Sequence, residues 1–154
     1  MRLLLSAFEP FGGESVNPSQ EVVRRIAEAP PPGAAVEALV LPVRAGVAFE
    51  LLIPAFEAGG FDAWLGLGQA EGRAQLSVER LGVNLRIDRG PDGSELEEET
   101  LVEGAGAAEF ARVPVRRLVE AIRTAGVPAM ASSSVLVSLT KVHGAWLITK
   151  FQPV

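Results

Sequence analysis

Apolar positions come in short blocks separated by turn formers, and the spacing inside each block tells strand from helix. Residues 2–8 (Arg-Leu-Leu-Leu-Ser-Ala-Phe) form a brief apolar run stopped by Pro10 and Gly12-Gly13, which predicts a buried strand. Asn17-Pro18-Ser19-Gln20 predicts a helix start, with Asn as cap, Pro at the first helical position and Gln three residues after the cap. Val22, Val23, Ile26 and Ala27 follow at helical spacing, and Pro30-Pro31-Pro32-Gly33 ends the helix. A second strand is expected over 35–43 and a third over 61–67. Between them, 46–58 fits a helix with Val47, Leu51 and Ala55 on one side, although Pro54 predicts a kink or two shorter pieces.

The first 70 residues thus alternate strand, helix, strand, helix, strand, and the strands are apolar on both faces. Strands buried on both sides need helices on both sides, so the expected class is α/β, a three-layer α/β/α arrangement around a mixed, partly parallel sheet. Residues 76–87 supply one or two more strands, and 88–106, rich in Gly, Asp and Glu, read as a long surface loop. Residues 114–125 form a helix with Val115, Leu118, Val119 and Ile122 as its apolar stripe, stopped by Gly126. Another strand starts at 127–130, 132–140 has β character, and 145–151 is a further candidate strand.

Composition narrows the function. The chain has 154 residues, 48% hydrophobic, with a net charge of −5. That is enough for one packed domain and too apolar for a disordered chain. The acidic balance argues against nucleic acid as the main partner, and no stretch approaches the roughly 18 apolar residues of a membrane span. The expected setting is cytoplasmic, since the N-terminal apolar run is broken by Glu9 and Pro10 before a leader could form. There is no Cys and a single His, which removes disulfides, thiolate metal sites and most His-based constellations; neither metal nor cofactor is expected. All 12 Arg lie at or before 123, both Lys (141 and 150) lie after it, and no acidic residue follows 120. That break divides the chain into 1–131 and a divergent tail, 132–154. The tail reads either as chance on small counts or as a truncation or frame change that leaves the sheet C-terminally incomplete.

Three segments could carry chemistry. Phe8-Glu9-Pro10-Phe11-Gly12-Gly13 follows strand one, where α/β sheets bind ligands beyond the carboxyl ends of their strands. Two Phe and two Gly there make either an apolar pocket wall or a turn with core-facing aromatics. Gly66-Leu67-Gly68-Gln69-Ala70-Glu71-Gly72-Arg73 is a second Gly-rich exit at the same edge, with Gln69 able to present an amide. Neither is a phosphate-binding fingerprint, because the Gly spacing is wrong and no Lys follows. In Ser77-Val78-Glu79-Arg80-Leu81-Gly82-Val83-Asn84 a Glu sits inside an apolar segment. It must pair with Arg80 or another cation, or be poised for function.

Taken in order with Asn17-Pro18-Ser19, Pro91-Asp92, Phe110, Pro114 and Gly126-Val127-Pro128-Ala129, these motifs make residues 1–131 resemble pyroglutamyl peptidase I, the pyrrolidone-carboxylate peptidase family of cysteine peptidases. The resemblance implies a cytoplasmic α/β/α protein, often a tetramer, that releases N-terminal pyroglutamate from peptides. By position, Phe8 and Phe11 would enclose the lactam ring. Gln69 and the cap region at Asn17 would fix polar groups, and Arg89 would lie near the catalytic centre. Glu79 falls on the catalytic acid that orients a histidine beside a cysteine thiolate. Without gaps, Thr140 stands at the position of that Cys and Lys141 at that of the following Asn, on what the family makes a helix start. His143 matches no family position, and the family His has no counterpart. Other departures are Glu71, Arg44-Ala45 and Gly90. The expectation is a chain of this family without activity; the alternative is a non-catalytic lactam-binding or interaction subunit on the same fold.

Overall fold

The computed structural model describes residues 1–44, 47–70, 73–85, 100, 103–132, 136–142 and 145–152. They divide into two compact units, Met1–Gln69 and Ala70–Val154.

The first unit is the predicted alternation. Strands β1 (Arg2–Phe8), β2 (Ala35–Leu41) and β3 (Ala63–Gly66) form a parallel sheet in the order β2-β1-β3, linked by helices α1 (Pro18–Glu28) and α2 (Val47–Gly59). The order fixes where the helices go. The chain leaves β1 toward one side and returns over it to the other. With right-handed crossovers the two helices then cover opposite faces. Side-chain alternation agrees: Leu4 joins Leu41, Ala48 and Leu52 in a cluster under α2, while Leu5 and Ala7 join Val23 in a cluster under α1. Within this unit the three layers are therefore helix, sheet, helix. Ser6, on the α2 face, is buried, and it accepts a hydrogen bond from the half-buried Trp64 indole, Nε1 to Oγ 2.8 Å. A Cβ on the neighbouring Gly66 would stand 3.1 Å from that ring, so the strand end is tightly packed.

Pro54 does not divide α2, which runs unbroken through it. Leu52 and Phe56 anchor the helix to the core on either side of the proline. Pro54 and Glu50 are both exposed, so the Glu50 carbonyl that proline deprives of a donor lies on the solvent side, where the loss costs least.

In the second unit, β4 (Leu76–Glu79) pairs in parallel with β7 (Ala129–Ser132), and α3 (Val115–Thr124) packs against both. Val119 of α3 and Ala129 are buried, and Arg123 Nε donates to the Ala129 carbonyl at 2.8 Å. A mixed ladder runs β6 (Ala108–Phe110), β5 (Leu81–Val83), β8 (Leu136–Val142), β9 (Ala145–Gln152), with β5 and β8 parallel and the outer pairs antiparallel. The fold class is α/β with mixed, partly parallel sheets, as the pattern predicts. β6 is the strand the pattern does not reveal: three residues are too few to show a period. The loop expected over 88–106 falls largely outside the described residues.

Candidate functional site

The connection leaving β1 leads to β2 on one side, and the one leaving β2 crosses back to β3 on the other, so the crevice beyond the carboxyl ends of β1 and β3 lies where the strand order reverses, the usual place for a ligand in such sheets. Both candidate loops of the first unit start there. Pairing continues one residue past each strand, through Glu9 N–H to Leu41 C=O at 2.9 Å and Leu67 N–H to Ser6 C=O at 2.8 Å. The loop roots are thereby held by the sheet.

Phe8 is half-buried and packs on the cluster under α2. Phe11 is 41% exposed at the turn. The turn closes through Glu14 N–H to Phe11 C=O at 3.2 Å, with Gly12 and Gly13 at φ +67° and +86°. A Cβ on either glycine would meet nothing within 4 Å, so backbone sign and not space requires glycine here. The two readings of this segment divide between its aromatics: Phe8 faces the core and Phe11 stands in the open.

Asn17 is 1% exposed and caps α1. Its Oδ1 accepts from Ser19 N at 3.0 Å and Ser19 Oγ at 2.7 Å, and its Nδ2 donates to the Glu9 carbonyl at 3.2 Å. The side chain thus staples both ends of the 9–17 loop together. Gln69 is half-buried just beyond β3, at the end of the first unit.

Glu79 closes β4 in the second unit. Its cation is Arg73, six residues upstream, with Nη1 3.0 Å from Oε1 and the two side chains 24% and 13% exposed; Arg80, the neighbour in sequence, is exposed. The other oxygen, Oε2, is buried without a hydrogen-bond partner among the described residues, and so is Ser77 Oγ. Residues two apart on a strand share a face, so Ser77 and Glu79 present these two groups side by side. Buried polar atoms are rarely left unsatisfied, and an orphaned pair marks a place for a partner. Arg73 and Ser77 are absent from the sequence-derived site. The signals for them are the cation that a buried carboxylate demands and the i, i+2 alternation around Glu79.

Thr140 lies within β8, opposite Leu147 of β9. Strand replaces the helix start that the family resemblance implies at this position. The β-branched Val137, Thr140 and Val142 and an antiparallel partner that pairs without a shift from Leu139 to Val142 favour extended backbone. His143, Arg89, Pro91-Asp92, Glu71, Ala45 and Gly90 lie outside the described residues. Among the described residues no group of three or more His, Cys, Asp or Glu could hold a metal ion. None of their helices is long and apolar enough to cross a membrane.

The sequence profile of the pyroglutamyl peptidases matches residues 1–141. The chain belongs to the pyroglutamyl peptidase family. A pyrrolidone-carboxylate peptidase of Streptomyces coelicolor is 43% identical over 135 residues, 86% of this chain and 62% of that protein. One from Gloeobacter violaceus is 45% identical over 131 residues, 84% and 64% of the two chains. Among solved structures, pyroglutamyl peptidase I of Bacillus amyloliquefaciens superposes with a TM-score of 0.79 at 35% identity, covering 86% of this chain and 65% of that one. The pyrrolidone carboxyl peptidase of Fervidobacterium islandicum gives 0.80 at 34%, covering 87% and 65%. This pyroglutamyl peptidase family chain spans less than two thirds of the length of these relatives. The family match runs ten residues beyond 131 and includes Thr140.

Proposed function

We propose that residues 1–154 retain the pyroglutamyl-recognition half of a cysteine peptidase that releases N-terminal pyroglutamate from peptides, and do not hydrolyse such peptides on their own. The observation that carries this reading is the state of Glu79. One oxygen is fixed by Arg73, and the other is buried without a hydrogen-bond partner among the described residues, which is what an acceptor for an imidazole N–H requires. Peptidase names among the relatives agree with that chemistry. The nucleophile is the element without support. The 154 residues contain no Cys, and Thr140 at the aligned position carries a hydroxyl that needs a well-placed base to ionise.

Recognition falls to the first unit. The exposed Phe11 ring, with Phe8 behind it, offers apolar faces to a small neutral lactam, and Gln69 offers an amide. Asn17 acts by holding the loop. Arg89 keeps the role that resemblance implies, near the catalytic centre. The reading needs no metal or cofactor. It takes peptides with N-terminal pyroglutamate as partners, not nucleic acid or membrane, and a cytoplasmic setting, with self-association into a homo-oligomer.

The test has two arms. Binding of free pyroglutamate, followed by chemical-shift titration, should be measurable and should weaken at least fivefold in Phe11→Ala. Absence of binding would overturn the recognition reading. A fluorogenic pyroglutamyl amide should not be cleaved above background by the chain or by Thr140→Cys. Cleavage by the unmodified chain that disappears in Glu79→Ala would refute the inactive reading.

A further inference from the structure

We propose that Ser77 is a positioning residue for Glu79, its hydroxyl donating to Oε2 when an imidazole N–H takes the other lone pair of that oxygen. This rests on the reading of Glu79 as an imidazole acceptor and adds to it the group that sets the plane of the carboxylate. Arg73 Nη1 holds Oε1 at 3.0 Å, while Oε2 has no hydrogen-bond partner among the described residues. A bond to one oxygen leaves the carboxylate free to swing about that point, and an oxygen that swings does not aim a ring. A second donor on Oε2 removes this freedom. A carboxylate oxygen accepts twice, so Oε2 takes a hydroxyl and an imidazole N–H together.

The geometry singles out Ser77 as that donor. Among the described residues, Ser77 Oγ and Glu79 Oε2 are the only buried side-chain polar atoms without a partner. They share one face of β4 and start about 7 Å apart along the strand. Strand side chains lean along the strand direction, and glutamate is long enough to close that gap. The bond is not made in this structure. Hydrogen bonds of this kind are often long or poorly aligned in a free site and tighten when the ligand arrives. Met130, the partner of Ser77 across the ladder, offers only a weak sulfur acceptor in competition. It is also 43% exposed, so this face of β4 and β7 is open to a small molecule. The burial of Ser77 Oγ argues against a nucleophilic role, because a hydroxyl closed to solvent does not reach a substrate carbonyl. Its burial has a second consequence. A hydroxyl buried without a partner weakens the free chain, so its removal should cost binding and not stability. A hydroxyl with a purely structural role would show the reverse.

The probe is free imidazole, titrated into the full chain near pH 8, where the ring is neutral, and followed by the amide shifts of residues 77–81. Binding should saturate, and Glu79→Gln should weaken it at least tenfold. Ser77→Ala should weaken it about fivefold. Ser77→Thr, which keeps the hydroxyl, should stay within about twofold of the unmodified chain, and Ser77→Val, of the same shape without it, should behave like Ser77→Ala. The urea midpoint of Ser77→Ala should be no lower than that of the unmodified chain. Binding that depends on Glu79 and is unchanged in Ser77→Ala would overturn the proposal and leave the reading of Glu79 standing. So would equal binding by Ser77→Val and Ser77→Thr, or a lowered urea midpoint in Ser77→Ala. No binding at all, or binding indifferent to Glu79→Gln, would overturn both.

Discussion

Replacing Asn17 by Ala removes three hydrogen bonds whose separate costs can be assigned. Loss of the cap bond to Ser19 N–H costs about 1 kcal/mol. Ser19 Oγ is left without its acceptor in a residue only 6% exposed, which costs about 1 kcal/mol more. Glu9 is exposed, so its carbonyl, losing Nδ2, is rehydrated at little cost. The expected loss is therefore about 2 kcal/mol. Asn17→Asp keeps both acceptor bonds and places a favourable charge at a helix N-terminus, but it gives up the Nδ2 donor and sets a buried carboxylate against a carbonyl. Its loss should be about 1 kcal/mol. Adding Ser19→Ala to Asn17→Ala removes the orphaned hydroxyl, so the double variant should be less destabilised than the sum of the singles. Urea titrations followed by far-ultraviolet circular dichroism give these differences directly. The Glu14 amide, bonded to Phe11 C=O, should exchange at least tenfold faster in Asn17→Ala, which reports on the site loop itself. An Asn17→Ala protein within 0.5 kcal/mol of the original, or strict additivity with Ser19→Ala, would refute the assignment of these bonds.

Arg73→Ala leaves the largely buried Glu79 carboxylate without its cation and should cost about 2 kcal/mol in the same assay, while Arg73→Lys should recover part of that. Leu52→Ala empties a fully buried position under α2 and should cost about 2–5 kcal/mol; a loss under 1 would mean the cluster collapses around it. On the solvent face of α1, hydrogen bonds from Arg24 and then Arg25 lower the Glu21 carboxyl from 4.5 to about 2. A group lowered by folding contributes stability that is complete above its ordinary value, so this contribution should fade between pH 4.5 and about 2. A carboxyl carbon titration in Arg24→Gln should move the midpoint back upward.

The first unit was legible because its signals are local and agree with one another. β1 is an apolar run with hard stops, Asn17-Pro18 is a cap with a proline in its permitted place, and 35–41 is a second largely apolar run, closed by Pro42. Pro54 misled because helix propensity is a local penalty and the packing of Leu52 and Phe56 is not. The site was legible in its residue types and less so in their partners. That Glu79 needed a cation follows from burial, but that the cation is Arg73 and not Arg80 depends on the chain folding back between them. Asn17 could be read as a cap from sequence. Its reach back to Glu9 could not, since nothing in the spacing shows which carbonyl a loop returns to.

Leu4 and Leu5 are adjacent in sequence and belong to different cores. The sheet is a partition, and β1 is the wall that both rooms share. Phe8 rests on the α2 side, whereas α1, which Asn17 begins, rests on the other. The two supports of the 8–17 loop therefore belong to separate clusters and can vary separately. Substitutions under α2 should move Phe8 and leave the cap in place; substitutions under α1 should shift the cap and spare Phe8. A lineage reshaping this loop would find two nearly independent adjustments within the first 60 residues, each open to gradual change without undoing the other.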